Sequence, residues 1–129
     1  MKYLLDTHVL LWAASCPEQL GPSVCKQLED PSNQLYFSAA SIWEIAIKND
    51  LNRDDFKVDV MQFRQSLLEN EYEEIPIGSD HAVFTAALAN HHKDPFDRIL
   101  IAQAWVEDIT LLTADAQVAQ YIGPIQKIK

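Results

Sequence analysis

Short apolar runs that end at a polar residue recur along the chain, and each leads into a helical pattern. Residues 3–5 (YLL) favour a buried strand that ends at Asp6, and THVLLWAA directly after it favours a helix. Residues 35–37 (LYF) favour a second strand, and Ser38 is a suitable N-cap for the helical stretch AASIWEIAIKND. The pattern therefore predicts two strands that each connect to a helix through a polar residue.

Helical periodicity dominates the segments between these strands and the middle of the chain. Gly21 and Pro22 open the stretch PSVCKQLED, which is expected to end before Pro31 because a residue that precedes proline disfavours helix. An amphipathic helix is predicted further on from apolar residues at helical spacing. These residues are Phe56, Val60, Phe63, Leu67 and Leu68.

The C-terminal half continues the alternation of strands and helices. Residues 72–75 favour a short strand, and Ser79 or Asp80 is expected to cap the helix HAVFTAALAN. A further helix is predicted from Pro95 to about residue 106. The stretches DITLLTAD and GPIQKI favour two more strands, with a short helix between them.

This order of elements predicts the α/β class, with helices packed on a mainly parallel sheet in one domain that spans residues 1–129. Binding sites in such sheets lie outside the carboxyl ends of the strands. Asp6 and Asp115 both follow predicted strands. They are therefore expected at the edge of the sheet where a site would form.

The composition excludes several classes of protein. With 48% hydrophobic and 22% charged residues, the chain is typical of a compact globular domain. Its apolar run at residues 99–106 is far shorter than the roughly 20 residues of a membrane span, and Asp6 interrupts the apolar N-terminus, which argues against a signal peptide. We therefore expect a cytoplasmic protein without a membrane partner. Cys16 and Cys25 lack the spacing of a zinc or redox motif.

The net charge of −9, from 10 Lys and Arg against 19 Asp and Glu, argues against indiscriminate affinity for nucleic acid. A nucleic-acid substrate is still compatible with it, because divalent cations in an acidic pocket reverse the local sign of the field. The positions of individual acids therefore matter more than their number.

Two acids stand at the start of the apolar helix in DPFDRILIAQAW. Asp94 has a structural explanation, because Asp is a preferred N-cap and Pro95 suits the first helical position. Asp97 has a weaker one, since an acid in the first turn gains only about 0.3–1 kcal/mol from the helix dipole. A structural role and a functional role both stay open for the two residues.

Glu44 interrupts the stretch AASIWEIAIK, which is apolar on nearly every side. A helix of that kind is usually buried, and a buried Glu is rare unless it is paired. The alternative is an ion pair with Lys48, four residues on, worth roughly 0.2–0.5 kcal/mol on an exposed face. Asp6 and Asp115 likewise have helix capping as an alternative role, and Thr113 competes for the second of these caps.

Asp6, Glu44, Asp97 and Asp115 are harder to explain together than one at a time. If they converge, carboxylates about 4 Å apart repel each other by about 4 kcal/mol at an effective dielectric near 20. Protons or divalent cations must offset that repulsion, and oxygen-only ligands favour Mg²⁺ or Mn²⁺ over zinc. Because Mg²⁺ activates water and neutralises phosphate oxygens, the predicted reaction is hydrolysis of a phosphodiester.

Four stretches resemble the PIN-domain ribonucleases, in particular the VapC-type toxins of bacterial toxin–antitoxin pairs. They are LLDTHVLLW, SAASIWEIAIK, DPFDRILIAQA and LLTADAQVAQY, and they span nearly the whole chain in the family's order. The resemblance implies a three-layer α/β/α sandwich, PIN-like in fold, with an acidic pocket that holds Mg²⁺ or Mn²⁺ and cleaves RNA. It also implies attack of an activated water on phosphorus, without a covalent enzyme intermediate.

Position by position, the family's four acids match Asp6, Glu44, Asp97 and Asp115, which the resemblance makes the catalytic residues and the metal ligands. Asp97 is preferred over Asp94 because the family places this acid directly before the helical run, here DRILIAQA. The auxiliary candidates for the metal site are Asp94, Thr7 and Thr113. The two threonines match positions that often carry a hydroxyl near the metal, and capping is their alternative role.

Other residues near the motifs receive secondary assignments. The three histidines His8, His91 and His92 are expected to be exposed or structural, because the implied mechanism needs no histidine. Candidates for contacts with the RNA backbone, with surface solvation as the alternative, are Lys48, Arg53, Lys93 and Arg98.

The resemblance also implies partners. They are a single-stranded or loop RNA, a small antitoxin whose tail blocks the pocket, and a second copy of the chain in a homodimer. Leu10, Leu11 and Trp12 on the first helix would line such an interface or else belong to the core.

Two other classes of protein fit part of the pattern. A receiver-type signalling module has about this length and an acidic Mg²⁺ pocket, but it requires an Asp at the end of a middle strand, where this chain has Ser38. An inactive PIN-like scaffold that only binds RNA or protein is the second. Such a scaffold has no reason to keep four repelling carboxylates together.

Overall fold

A computed structural model describes residues 1–15, 17–50 and 57–128 of the chain. Cys16, Arg53 and Phe56, which were considered above, lie outside these ranges. The strands are β1 (Lys2–Leu5), β2 (Gln34–Ser38), β3 (Glu73–Ile75), β4 (Thr110–Thr113) and β5 (Ile125–Lys127). The α-helices are α1 (Thr7–Ser15), α2 (Pro22–Glu29), α3 (Ala39–Asp50), α4 (Val60–Glu69), α5 (Ser79–Phe84) and α6 (Pro95–Glu107). Short 3₁₀ turns lie at Pro17–Gln19, Thr85–Ala87 and Val118–Gln120.

The strands form one parallel sheet in the order β3-β2-β1-β4-β5. This confirms the predicted parallel α/β class. The chain builds outward from β1 in one direction through β2 and β3, and then crosses to the other side for β4 and β5, so the order reverses between β1 and β4. A receiver domain has the order 2-1-3-4-5, so the strand order argues against that alternative.

Alternate residues of each central strand point to opposite faces of the sheet, which gives the three predicted layers. On one face, Leu5 and Phe37 pack in a cluster with residues of α1, α2, α3 and α4. On the other, Leu4 and Leu111 pack with the apolar side of α6. Parallel sheets are covered on both faces in this way, so their strands are apolar throughout. Within the described ranges, no helix is long and apolar enough to cross a membrane.

Local capping agrees with the sequence at two helices. The Ser38 hydroxyl accepts from the Ala40 N–H at 3.0 Å at the start of α3. The Asp94 carboxylate accepts from the Phe96 N–H at 2.9 Å at the start of α6. Both helices therefore begin at the capping residues that the sequence predicts.

Two predicted helices begin or end elsewhere. Neither Ser79 nor Asp80 caps α5; the cap is Gly78, whose N–H donates to the His81 ring at 2.9 Å, and α5 gives way to a 3₁₀ turn at Thr85–Ala87. The helix expected between β4 and β5 is likewise a single 3₁₀ turn, Val118–Gln120. His81 also contacts Glu107 at the end of α6, at 2.8 Å, and the local pattern does not show this tertiary contact.

Asp108 ends α6 in the left-handed conformation, with φ 57° and ψ 53°. Glycine adopts this conformation without a Cβ clash, and an acid at a helix C-terminus interacts unfavourably with the helix dipole. We therefore expect Asp108→Gly to raise the free energy of unfolding by about 0.5–1 kcal/mol in urea titrations. Asp108→Ala, which removes the charge but keeps Cβ, is the control and should gain less. Equal stability of the two variants would contradict the backbone argument.

Candidate active site

Asp6 and Asp115 lie at the point where the strand order reverses, because they follow the adjacent strands β1 and β4. Thr113, the last residue of β4, connects them. Its hydroxyl donates to Asp6 Oδ2 at 2.6 Å and accepts from the Asp115 N–H at 3.0 Å. One buried hydroxyl thus sets the separation of two acid-bearing segments.

Asp6 has the capping role considered from sequence, but it is also almost completely buried. Its Oδ1 accepts from the Val9 N–H at 2.9 Å, and the residue is only 5% exposed. Burial raises the pKa of Asp6, and nearby Asp115 adds to the rise, against the opposing hydrogen bonds from Thr113 and Val9. A nearby positive charge would therefore favour the ionised form of Asp6.

Glu44 shows both of the features that the sequence left open. It is 9% exposed, yet its Oε2 lies 3.1 Å from Lys48 Nζ, in the expected i to i+4 pair. Its Oε1 accepts from the Thr7 hydroxyl at 2.6 Å, and the Ser41 hydroxyl lies 2.9 Å from that of Thr7. The pair is therefore not a solvated surface contact, because Glu44 is held from both sides.

Asp97 lies one turn into α6 and is oriented by a histidine. His92 Nε2 lies 2.8 Å from Asp97 Oδ2, and the carboxylate is 19% exposed. Burial raises the pKa of Asp97 to about 7, and repulsion from Asp94, Asp6 and Glu44 adds to the rise while His92 opposes it. Asp97 therefore lies close enough to Asp6, which follows β1, and to Glu44 on α3 for their charges to act on it.

An aromatic contact holds α3 against α6. Trp43 and Phe96 meet edge to face, with ring centroids 5.2 Å apart. Each ring belongs to the residue directly before a site acid, Glu44 on α3 and Asp97 on α6. The packing of these two helices therefore sets the distance between the two carboxylates.

The four predicted acids meet in one cavity of about 330 Å³ at the carboxyl ends of the strands. It is lined by Asp6, Thr7, His8, Trp12, Glu44, Lys48, His92, Asp94, Asp97, Ala114 and Asp115. The auxiliary candidates Asp94 and Thr7 are in this set, and Thr113 is fully buried behind Asp6. The structure thus brings together every residue that the sequence nominated for the site.

The donor set of the cavity fits a hard divalent cation. Five carboxylates share it, whereas Lys48 is the cation that lines it among the described Lys and Arg residues. Ligand atoms of His92, Asp94 and Asp97 lie within 4.8 Å of one another. Burial raises the pKa of Asp6 and of Asp97, and neighbouring carboxylates add to each rise, so an oxygen-preferring dication would stabilise the ionised forms.

A second group of metal-ligand types, Asp80, His81 and Glu107, has a structural explanation instead. His81 is 3% exposed, and its Nδ1 accepts from the Gly78 N–H. Its Nε2 lies 2.8 Å from Glu107 Oε2 and must donate there, because the other ring nitrogen is an acceptor. Nδ1 therefore caps the start of α5, and Nε2 fastens that helix to the end of α6.

Sequence reasoning missed two residues of the site. His92 was expected to be exposed or structural, and the structure places its ring on Asp97 in the cavity wall. Ser41 was not considered, although it lies three residues before Glu44 and so on the same helix face. The spacing from Glu44 could therefore have identified Ser41 as a site residue. For His92, the only such signal was its closeness in sequence to Asp94.

The structure bears on several alternatives that the sequence left open. Arg98, a candidate for RNA contact or surface solvation, donates to backbone oxygens of its own chain, including Thr85 O at 2.8 Å. Leu10 is fully buried and therefore belongs to the core rather than to an interface. Leu11 and Trp12 are partly buried, and Trp12 lines the acidic cavity. Lys93 is exposed, as surface solvation predicts.

The fold and the cavity define an α/β/α protein with an acidic site at the switch point of a parallel sheet. The sequence profile of the PIN domain matches residues 3–123, and the chain therefore belongs to the PIN domain family. This confirms the resemblance recognised from the four motifs.

Individual relatives agree with the family assignment. Ribonuclease VapC22 of Mycobacterium tuberculosis is 27% identical over 124 residues, which cover 94% of this chain and 92% of that protein. VapBC2 from Rickettsia felis, crystallised with a DNA fragment from its promoter, matches with a TM-score of 0.73 at 14% identity over 100% of both chains. VapBC-1 from nontypeable Haemophilus influenzae matches with a TM-score of 0.67 at 18% identity over 98% of both chains. The three-layer fold is thus shared across low sequence identity.

The pKa of Asp97 predicts how the stability of the metal-free protein depends on pH. The pKa is about 7 in the folded state against 3.8 for the ordinary group, so the folded state holds this proton more tightly. The contribution of Asp97 to the free energy of unfolding should therefore be most favourable below about pH 4. It should decline as the pH rises towards 7, by on the order of 2 kcal/mol after solvent screening.

Thermal melts in chelator from pH 4.5 to 7.5 measure this decline. Asp97→Asn should flatten it without abolishing it, because Asp6 contributes in the same direction. Asp59→Asn, at an exposed helix cap, is the matched control and should follow the wild type. If the wild type and Asp97→Asn lose stability in parallel, Asp97 does not hold the proton.

Proposed function

We propose that this protein is a metal-dependent endoribonuclease, the toxin component of a toxin–antitoxin pair, acting as a single domain over residues 1–129 in the cytoplasm. The observation that carries the proposal is the convergence of Asp6, Glu44, Asp97 and Asp115 on one cavity at the strand ends. Membership of the PIN domain family and the similarity to Ribonuclease VapC22 support RNA as the substrate. The reaction is hydrolysis of a phosphodiester bond.

Asp6, Glu44, Asp97 and Asp115 are the residues proposed to hold Mg²⁺ or Mn²⁺ and thereby to be essential for catalysis. When bound, the cation lowers the pKa of water and neutralises charge that develops on the phosphate. Asp94 adds negative potential close to Asp97 while it caps α6. Its place is thus that of an auxiliary residue.

Threonine hydroxyls orient the carboxylates of this site, and a lysine adds a positive charge to it. The Thr7 hydroxyl fixes Glu44, and the Thr113 hydroxyl fixes Asp6, each through a bond of 2.6 Å. These threonines are auxiliary residues of the proposed metal site, because each hydroxyl orients a carboxylate that would hold the cation. Lys48, which lines the cavity, is placed to contact a phosphate oxygen of the RNA.

The charge of the chain favours a shaped RNA target. A protein with a net charge of −9 gains little from general attraction to phosphates. Recognition is then expected to depend on a single-stranded segment or loop whose backbone enters the cavity and whose bases are accessible. His8 and Trp12 supply an aromatic wall beside the carboxylates, with ring centroids 5.9 Å apart.

The partner proposed for the chain is a small antitoxin, with a homodimer as the assembled toxin. A solved structure with a similar fold, from Klebsiella pneumoniae, is a toxin–antitoxin complex. An antitoxin tail that carries Arg or Lys would complement the acidic cavity and exclude RNA from it.

RNA cleavage with and without metal tests the proposed activity. Purified protein is incubated with labelled total RNA in Mg²⁺, in Mn²⁺ and in chelator, beside Asp6→Asn. We expect discrete fragments from wild type with metal, and a rate at least about 100-fold lower from the variant, because a carboxylate oxygen contributes several kcal/mol to such sites.

Asp30→Asn, at an exposed turn far from the cavity, is the matched control and should cleave like the wild type. Fragments that persist in chelator, or that appear equally with Asp6→Asn, would identify a contaminating nuclease or a wrong site. Binding of RNA with no cleavage under any metal condition would favour the inactive scaffold instead.

A further inference from the structure

The Arg98 guanidinium donates hydrogen bonds to backbone oxygens of the loop that precedes α6. Its Nη2 donates to Thr85 O at 2.8 Å, and its Nη1 to Ala89 O at 2.9 Å. Nη1 also lies 3.4 Å from His92 O and 3.1 Å from the Tyr121 hydroxyl. Arg98 directly follows the site acid Asp97 in the sequence. Its side chain therefore fixes the backbone at both ends of the segment 85–92.

The Tyr121 hydroxyl completes this contact from another part of the chain. It accepts from the His92 N–H at 2.9 Å and lies 3.2 Å from His92 O, so it is bonded to both backbone groups of one residue. Tyr121 is 5% exposed, and its ring is packed in the apolar cluster beside α6. The hydroxyl is thus held rigidly, and it holds His92 in turn.

Tyr121 is also continuous with the turn that carries Asp115. Asp115 Oδ1 accepts from the Gln117 N–H at 2.7 Å and from the Val118 N–H at 3.3 Å. The Ala119 N–H donates to Asp115 O at 3.1 Å, and Tyr121 follows directly after this 3₁₀ turn. Movement of Tyr121 would therefore be transmitted to the Asp115 carboxylate.

We propose that Arg98 and Tyr121 form a clamp that positions His92, and through it Asp97, relative to Asp115 at the cavity. The two are positioning residues, because their own contacts are to the protein and not to the reacting atoms. The inference rests on the proposed function, since it assigns the purpose of this alignment to a divalent cation shared by the acids.

A positioning role and an RNA-contact role for Arg98 predict different effects of its substitution. Loss of a phosphate contact weakens RNA binding and reduces its salt dependence. Loss of a group that orients metal ligands instead weakens metal binding or activity by about 10–100-fold and leaves RNA affinity unchanged. Metal affinity and KM therefore distinguish the two roles.

Tyr121→Phe is the sharpest variant, because it removes one oxygen atom and keeps the packed ring. Tyr36→Phe, a buried tyrosine in the same apolar cluster, is its control, and Arg98→Lys is matched by Arg64→Lys at the surface pair with Glu74. The measurements are Mn²⁺ affinity by electron paramagnetic resonance, hydrogen exchange of residues 85–94, and kcat and KM on RNA.

We expect Tyr121→Phe and Arg98→Lys to weaken Mn²⁺ binding by about 10-fold and to speed hydrogen exchange of the loop, with kcat lowered and KM unchanged. The two controls should stay within about twofold of wild type. If Mn²⁺ affinity and loop exchange of Tyr121→Phe match those of Tyr36→Phe, the clamp is refuted, whether or not RNA is cleaved.

Two further outcomes separate the clamp from the function on which it rests. A rise in KM with a reduced salt dependence for Arg98→Lys, at unchanged Mn²⁺ affinity, would make Arg98 an RNA contact and overturn the clamp. If the wild type binds Mn²⁺ and Tyr121→Phe weakens that binding as expected, but the wild type cleaves no RNA, the clamp is supported and the proposed function is contradicted.

Discussion

Burial of ionisable carboxylates at the switch point of the sheet is the constraint on which the site depends. Asp6 and Asp97 both have raised pKa values, chiefly because burial disfavours their ionised forms. Burial of this kind opposes folding unless the surrounding structure holds the acids in place. The parallel sheet supplies that hold, because β1 and β4 are neighbours with apolar cover on both faces and cannot move apart without exposing the core.

Short hydrogen bonds from threonine hydroxyls then fix the carboxylates relative to the backbone. Thr113 at the end of β4 donates to Asp6, which follows β1, and Thr7 on α1 donates to Glu44 on α3. Each hydroxyl joins two elements that are far apart in sequence. The site is therefore a property of the tertiary fold, and small shifts between helices and sheet would be felt directly by the acids.

Much of this arrangement was predictable from the sequence, because the local pattern and the tertiary structure agree. Asp6 and Asp115 end apolar strands, so the parallel topology alone places them at one edge. Their convergence with Glu44 required the family resemblance, since the spacing of residues does not fix the packing of α3 on α6. The positions of His92 and Arg98 were not predictable, because long-range contacts to Asp97, Tyr121 and loop carbonyls define them. The start of α5 was misjudged for the same reason.

The ion pair between Glu44 and Lys48 gives the cavity a cation of its own. The ammonium group lies 3.1 Å from the carboxylate and is tethered to the next turn of the same helix. An incoming cation therefore competes with Lys48 for Glu44, and only a multiply charged cation gains Coulomb attraction at that carboxylate by replacing the lysine. Occupancy of the cavity and the position of the Lys48 side chain are thus linked through a single carboxylate.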